Sequence, residues 1–235
     1  MKNTKKNIGL ILASGTGSRC ELEYPKQFAK VNDKTILELS IDEFENHPNI
    51  NEIILVTNSE YVNKVKDIVK KTKYKKVSRV IAGGVTRKDS SYNGISSIVE
   101  TNANVLIHDA VRPLVTREII TNCIESLNTY KAVCVAINST DTIFIINEEN
   151  NIVSIPKRKL LKRAQTPQCF DINIIKEAHR LANLDKSCMV TDDCGLIMNY
   201  NLSPIHIVDG SIDNIKVTFK DDIEFVKSKI LEIKK

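Results

Sequence analysis

Residues 8–28 read IGLILASGTGSRCELEYPKQF. The small residues of Ala13, Ser14, Gly15 and Gly17 let backbone N–H groups come close to a polyanion. Arg19 and Lys26 set two cations beside that cradle. Bare amides and paired cations are the chemistry of phosphate binding. By the glycines alone, an ordinary strand-to-helix turn is the better reading. The flanking Arg19 and the Pro25-Lys26-Gln27 tripeptide favour the phosphate.

Four further constellations carry chemistry. In His108-Asp109-Ala110-Val111-Arg112-Pro113, a carboxylate follows the apolar run Val105-Leu106-Ile107. Asp109 at a strand end can hold a metal on a bound triphosphate, and Arg112 can pair a second anion. A structural Asp–Arg pair fits these two residues equally well. Arg158, followed by Gln165-Thr166-Pro167-Gln168, offers a guanidinium and a hydroxyl for a phosphate, although Thr-Pro is also a common turn. In Val190-Thr191-Asp192-Asp193, Thr191 or Asp192 suits a helix N-cap. The two aspartates are read as capping only, and Thr191 as a cap that can also meet an anion. Lys216 lies in Asp213-Asn214-Ile215-Lys216-Val217-Thr218, between apolar residues that suggest a short strand. It is either an edge gatekeeper or a phosphate-facing cation, and the other segments favour the second.

The elements that position these residues alternate. Strands are expected at 8–12, 53–56, 77–81, 105–107 and 132–137. Helices are expected from Ser59 to about Lys71, from Thr86 to Val99 and from near Thr116. This rhythm predicts a three-layer α/β/α architecture with a mostly parallel, Rossmann-like sheet, whose ligands sit at the carboxyl ends of the strands. Residues 138–165 break the rhythm. Thr142–Ile146 and Asn151–Ile155 flank a polar turn and predict a projecting β-hairpin arm. Its apolar strands call for cover, by a second subunit or by the chain's own domain. No linker divides residues 1–235, which are read as one domain carrying that arm.

The totals narrow the class. The chain has 235 residues, of which 42% are hydrophobic and 27% charged, as in ordinary soluble globules. No apolar run approaches the ~18 residues that span a bilayer, and the run after the basic N-terminus is too short for a signal peptide. Six scattered cysteines without a C-x-x-C pair fit reduced thiols in a cytoplasm. The net charge of +5 is mild, and with no Trp and 5% aromatics there is little surface for stacking bases, so nucleic acid is not expected as a partner. An oxidoreductase is disfavoured because Gly15-Thr16-Gly17 is followed by Cys20, not by the third glycine of G-x-G-x-x-G. A non-catalytic nucleotide-binding protein is disfavoured by the presence of Lys26, Asp109 and Lys216 together.

Taken in order, SGTGSR with PKQF, GGVTRKDS, HDAVRP, QTPQ and DNIKVT resemble the cytidylyltransferases that make CDP-alcohols from CTP. That group includes the methylerythritol-phosphate and the ribitol-phosphate enzymes. The resemblance runs from Ile8 to about Ile230, and departs from the usual pattern at Ser14 and Cys20. It implies CMP transfer from CTP to an alcohol phosphate, with Mg²⁺ as cofactor and a homodimer joined by the arm. It implies that Arg19, Lys26 and Lys216 are catalytic. Ala13, Ser14, Gly15, Gly17, Gly83, Gly84, Ser90 and Ala110 would bind the nucleotide. Asp109 would ligate the metal. Arg112, Arg158, Thr166 and Thr191 would face the alcohol phosphate, the arm residues from the partner subunit. Ser154–Arg158, Val111 and Asp192-Asp193-Cys194 are similar to the ribitol-phosphate branch, which makes D-ribitol 5-phosphate the expected acceptor. The Thr-Asp-Asp run is also common in the methylerythritol branch, which keeps 2-C-methyl-D-erythritol 4-phosphate as the alternative.

Overall fold

Strand β1 (Lys6–Ala13) is an inner strand of a seven-stranded sheet in a computed structural model that describes residues 5–15, 22–185 and 187–233. Its neighbours are β4 (Glu52–Thr57) and β6 (Ala103–Asp109), both parallel to it. The sheet continues outward from β4 to β5 (Val77–Ala82), and from β6 through β10 (Lys162–Asp171) and β7 (Ala132–Asn138) to β11 (His206–Asp209). Strand β10 runs antiparallel to both its neighbours. Every other pairing in this sheet is parallel.

The central strands are apolar on both faces because both faces are covered. Along β1, Ile11 and Ala13 point to one core, while Ile8, Leu10 and Leu12 point to the other. The first core is closed by α1 (Ile36–Glu45), α2 (Val62–Thr72) and α4 (Arg117–Ser126). The second is closed by α3 (Arg87–Ser96), α5 (Ile172–Leu184) and α6 (Asp193–Asn199). The three-layer α/β/α architecture expected from the alternation is therefore present. A third, smaller cluster seats α7 (Lys220–Ile233) against a short hairpin of β2 (Lys30–Val31) and β3 (Lys34–Thr35).

Local chemistry sets the helix starts. Thr86 caps α3 in a reciprocal pair with Asp89, and the Thr116 hydroxyl accepts from the Ile119 amide at the head of α4. Ser59 does not cap the helix expected to start there. Asn58 caps a short 3₁₀ turn at Ser59–Tyr61, and α2 begins only at Val62. Lys216 is not in a strand. Its segment makes one backbone bond to a neighbour, Val217 N–H to Val111 C=O at 2.8 Å, and has no ladder. The arm is present but shorter than expected. Only β8 (Ile145–Ile146) and β9 (Ile152–Ser154) pair, forming a ribbon separate from the main sheet.

Candidate active site

The carboxyl ends of β1 and β6 open into a cleft of about 360 Å³. Ala13, Ser14 and Gly15 form one wall. The Gln27 amide pins this wall by donating to Ala13 C=O at 2.7 Å and to Gly15 C=O at 3.1 Å. Lys26 lines the same cleft and is 7% exposed. The opposite wall is Gly84-Val85-Thr86 with Arg87 and Ser90. There the Gly84 amide donates to Ser90 Oγ at 3.1 Å. Gly83 packs so tightly that a Cβ would collide with the hydroxyls of Ser14 and Ser90. Only a bare backbone lets these two walls approach.

Asp109 stands on the floor among cations. Its Oδ2 accepts from Lys216 Nζ at 2.8 Å and lies 3.9 Å from Arg112 Nε. Its Oδ1 lies 3.6 Å from Arg87 Nε. Burial alone would raise its pKa, but Arg87 and Lys216 outweigh that and hold the carboxyl well below the usual range. The Thr166 hydroxyl fixes its backbone by accepting from the Asp109 amide at 3.1 Å. The same hydroxyl lies 2.9 Å from His108 Nδ1, and His108 Nε2 lies 3.1 Å from Arg112 C=O. Arg112 C=O can only accept, so Nε2 carries the imidazole proton and Nδ1 accepts from Thr166. Burial lowers the His108 pKa to about 4, which keeps this ring neutral.

The segment around Lys216 is strapped down by its neighbours. Asn214 donates to Thr166 C=O at 3.0 Å, and Arg112 Nη1 donates to Asn214 C=O at 2.8 Å. Lys216 keeps a side chain 40% exposed to the cleft.

Eight of the site residues expected from sequence therefore line one cleft: Ala13, Ser14, Gly15, Lys26, Gly84, Ser90, Asp109 and Lys216. Gly17 and Arg19 lie outside the described residues. Gly83 and Ala110 sit behind the walls. Both backbone groups of Ala110 are spent, its N–H on Leu12 C=O and its C=O on Ser40 Oγ. Arg112 and Thr166 act as clasps on the loops around Asp109. Arg158 lies in the arm, bonded to Thr142 Oγ1 at 3.0 Å. Thr191 is exposed beside α6 and does not cap it. Asp192 does, accepting from the Gly195 amide at 2.8 Å.

Asp193 corrects the reading of both aspartates as caps. It is 1% exposed and pairs with Arg87 at 2.7 Å. Arg87 and Asp193 were missed, as were Gln27 and the Gln168 amide that holds the first turn of α6. The GGVTRKDS segment contains Arg87, but nothing in its spacing joins it to an aspartate 106 positions away.

The family model described as IspD, 2-C-methyl-D-erythritol 4-phosphate cytidylyltransferase, matches residues 8–232. The chain belongs to this family. IspD-family proteins are CTP-dependent cytidylyltransferases, so the cleft belongs to a nucleotidyltransferase. The chain is 40% identical to the bifunctional ribulose 5-phosphate reductase/CDP-ribitol pyrophosphorylase Bcs1 of Haemophilus influenzae, over 98% of its own length and 49% of that protein. It thus spans about half of that relative. It is also 40% identical to a 2-C-methyl-D-erythritol 4-phosphate cytidylyltransferase of Clostridium botulinum, over 93% of this chain and 94% of that one. The 4-diphosphocytidyl-2C-methyl-D-erythritol synthase structure from Anaerococcus prevotii superposes with a TM-score of 0.85 at 30% identity, covering 97% of this chain and 99% of that one. The Francisella tularensis IspD-family structure gives 0.77 at 29% identity, over 96% and 100%.

Proposed function

We propose that this IspD-family chain transfers CMP from CTP to D-ribitol 5-phosphate, giving CDP-ribitol and pyrophosphate. The observation that carries the reading is the cleft itself: bare backbone, Lys26, Arg87 and Lys216 gathered around one ionised carboxylate at the strand ends. Two polyanions must meet there, and a phosphate-ester oxygen of the alcohol attacks the α-phosphorus. That oxygen is already ionised at neutral pH, so no general base is needed. The neutral, fully buried His108 is accordingly a structural residue. Lys26 and Lys216 are placed to offset charge that grows as the phosphorus becomes five-coordinate. Arg19, Gly17 and the backbone of Gly15 join them on the triphosphate. Arg112 and Thr166 hold the acceptor side of the floor, and Thr191 with Arg158 supply the remaining phosphate contacts, Arg158 across a subunit boundary.

Magnesium fits this donor set. Mg²⁺ is usually held by one or two carboxylates together with substrate phosphates. Asp109 is the one carboxylate lining the cleft among the described residues. When bound there, Mg²⁺ neutralises phosphate charge that the cations leave uncovered.

Several observations support the ribitol branch. Val111, part of the motif that resembles that branch, lines the cleft. The Haemophilus relative, which prints CDP-ribitol pyrophosphorylase in its name, is as similar as the Clostridium one and aligns over more of this chain. The family's own description and the Clostridium relative favour 2-C-methyl-D-erythritol 4-phosphate as the second reading. The arm supports a homodimer, because Phe144, Ile145, Ile146, Ile152, Val153 and Ile155 are each at least half exposed. Residues 1–235 then act as one catalytic unit with 138–165 as its dimer contact. Phosphorylated small molecules as reactants suit a cytoplasmic enzyme. No helix among the described residues is long and apolar enough to cross a membrane.

The deciding experiment offers both alcohol phosphates in parallel with CTP and Mg²⁺. Both present a phosphate, so discrimination falls on the polyol, where an unmatched hydroxyl leaves polar groups unpaired. Ribitol 5-phosphate is expected to win in kcat/KM by ~10²-fold. A preference for the methylerythritol substrate sinks the ribitol reading and leaves the CTP chemistry standing.

A further inference from the structure

Arg87 occupies the first turn of α3, where a cation faces the positive end of the helix. That placement is unfavourable unless an anion compensates. The anion arrives from a different element. Asp193, in the first turn of α6, accepts from Arg87 Nη1 at 2.7 Å. It is itself fixed from behind, by the Ser91 hydroxyl at 2.5 Å and with His179 Nε2 3.3 Å away. Gln168 Oε1 accepts its backbone amide at 3.1 Å. Arg87 and His179 outweigh the burial penalty and hold the Asp193 carboxyl at about 2, so it is charged at neutral pH.

The two ends of this pair differ. Asp193 is sealed, with a side chain 1% exposed, whereas Arg87 is 27% exposed and lines the cleft beside Gly84 and Asp109. A guanidinium carries five N–H donors. Among the described residues, Asp193 is the only hydrogen-bond acceptor that Arg87 uses. Its Nε stands 3.6 Å from Asp109 Oδ1, too far for a hydrogen bond. A pair that served only to clamp α3 to α6 has no need of a charge turned towards the cleft, and apolar groups do that work as well.

We propose that Arg87 is a catalytic residue that grips the phosphate chain of the nucleotide, and that Asp193 is the positioning residue that aims it. The planar fork matches phosphate oxygens and stays charged throughout turnover. This rests on the cytidylyltransferase reading, so CTP binding to the unaltered protein is measured first. Its absence counts against that reading and not against the role of Arg87.

The test compares CTP with cytidine, which has the base and ribose but no phosphate. Affinities are measured calorimetrically in the presence of Mg²⁺ for Arg87→Lys, Arg87→Met, Asp193→Asn and the double variant Arg87→Met/Asp193→Asn. Arg87→Met is expected to weaken CTP by about thirtyfold, the scale of a charge-assisted bond, and to leave cytidine within about twofold. Asp193→Asn should weaken CTP in the same selective way but by less. Added guanidinium ion, on the order of 10 mM, should restore part of the turnover of Arg87→Met by refilling the cation site. Arg87→Met leaves Asp193 buried and unpaired, and if it unfolds, the double variant removes both charges and must show the same split. Arg87→Lys keeps the charge but loses the fork, and should weaken CTP severalfold. Unchanged CTP affinity in Arg87→Lys and the double variant, or equal losses for CTP and cytidine, overturn the proposal.

Discussion

A phosphate monoester carries nearly two negative charges at neutral pH, and CTP brings more. The residues that matter most for rate are those whose attraction grows as the two anions merge. Lys26 and Lys216 fit that role, because both line the cleft. Removing Lys216 still leaves Asp109 with Arg87 at 3.6 Å and Arg112 at 3.9 Å. Lys216→Ala and Lys26→Ala are expected to lower kcat by ~10²-fold, the cost of one lost transition-state contact, and Lys216→Ala to melt close to the parent. An unchanged kcat, or a collapsed fold for Lys216→Ala, is the result that removes the assignment.

Other buried titratable residues set a pH signature. Burial depresses His108 from an ordinary 6.5 to about 4, and burial also lowers His47. The native state thus binds fewer protons than the unfolded chain in that window, and stability falls as pH drops from about 6.5 to 4. Carboxylates act lower down. Asp193 and Glu52, the latter ringed by Lys6, Ser78 and Arg79, are both held at about 2 against their burial penalties. Their contribution is present above about pH 4.5 and lost as pH falls towards 2. Urea midpoints at pH 7, 5.5, 4 and 2.5 should show both declines. His108→Gln should shrink the upper one, worth on the order of 3 kcal/mol, and spare the lower. At this scale, the sequence displayed the cleft residues that sit at the ends of their strands, such as Ser14 and Asp109. Arg87 with Asp193 was hidden, because 106 residues separate the partners and they meet only when α3 and α6 both pack on α5.

Elements were legible where local chemistry decides them. The Ile-, Leu- and Val-containing runs of β4 and β6 and the Ile- and Leu-rich run of β1 announce strands covered on both faces, and Thr86 and Thr116 announce helix starts. Strand β10 was not legible. Its polar start and internal Pro167 argue against a strand on local rules, and it is accommodated by a register shift between Ala164 and Gln168. Its partners β6 and β7 supply the reason it forms. Lys216 misled in the opposite way. Alternation of Ile215, Lys216 and Val217 imitates a strand, but the apolar residues pack on α7 and its neighbours with no sheet partner. The arm gives the prediction at this scale. Its ribbon is two-stranded and exposed, and such a ribbon is marginal alone. Sedimentation should find a dimer at micromolar concentration. Ile145→Lys with Ile152→Lys should give a monomer that still binds CTP, because neither residue lines the cleft. Shortening the polar tip at Asn147–Asn150 should change little. A parent protein that sediments as a monomer excludes the arm as a dimer contact.

The whole molecule poses a question that no single chain answers. Arg158 is spent on Thr142 within its own arm and does not line its own cleft. If it serves catalysis, the arm must carry it to a second copy, and a closed two-fold dimer gives each site one arm from its partner. Complementation reads this directly. Arg158→Ala chains have an intact cleft and a defective arm, while Lys216→Ala chains have the reverse. Each homodimer is impaired at both sites. In a mixed dimer, the Arg158→Ala chain supplies Lys216 and receives Arg158 from its partner, so one site is whole. Random exchange makes half of the dimers mixed, and activity should recover to roughly a quarter of the parent's. A cis role for Arg158 restores nothing, since neither chain of the mixed dimer then holds both residues. No recovery after exchange, with mixed dimers verified by differently sized tags, therefore rejects the shared site. Recovery that vanishes when the Arg158→Ala chain also carries Lys216→Ala locates the rebuilt site in that chain's cleft.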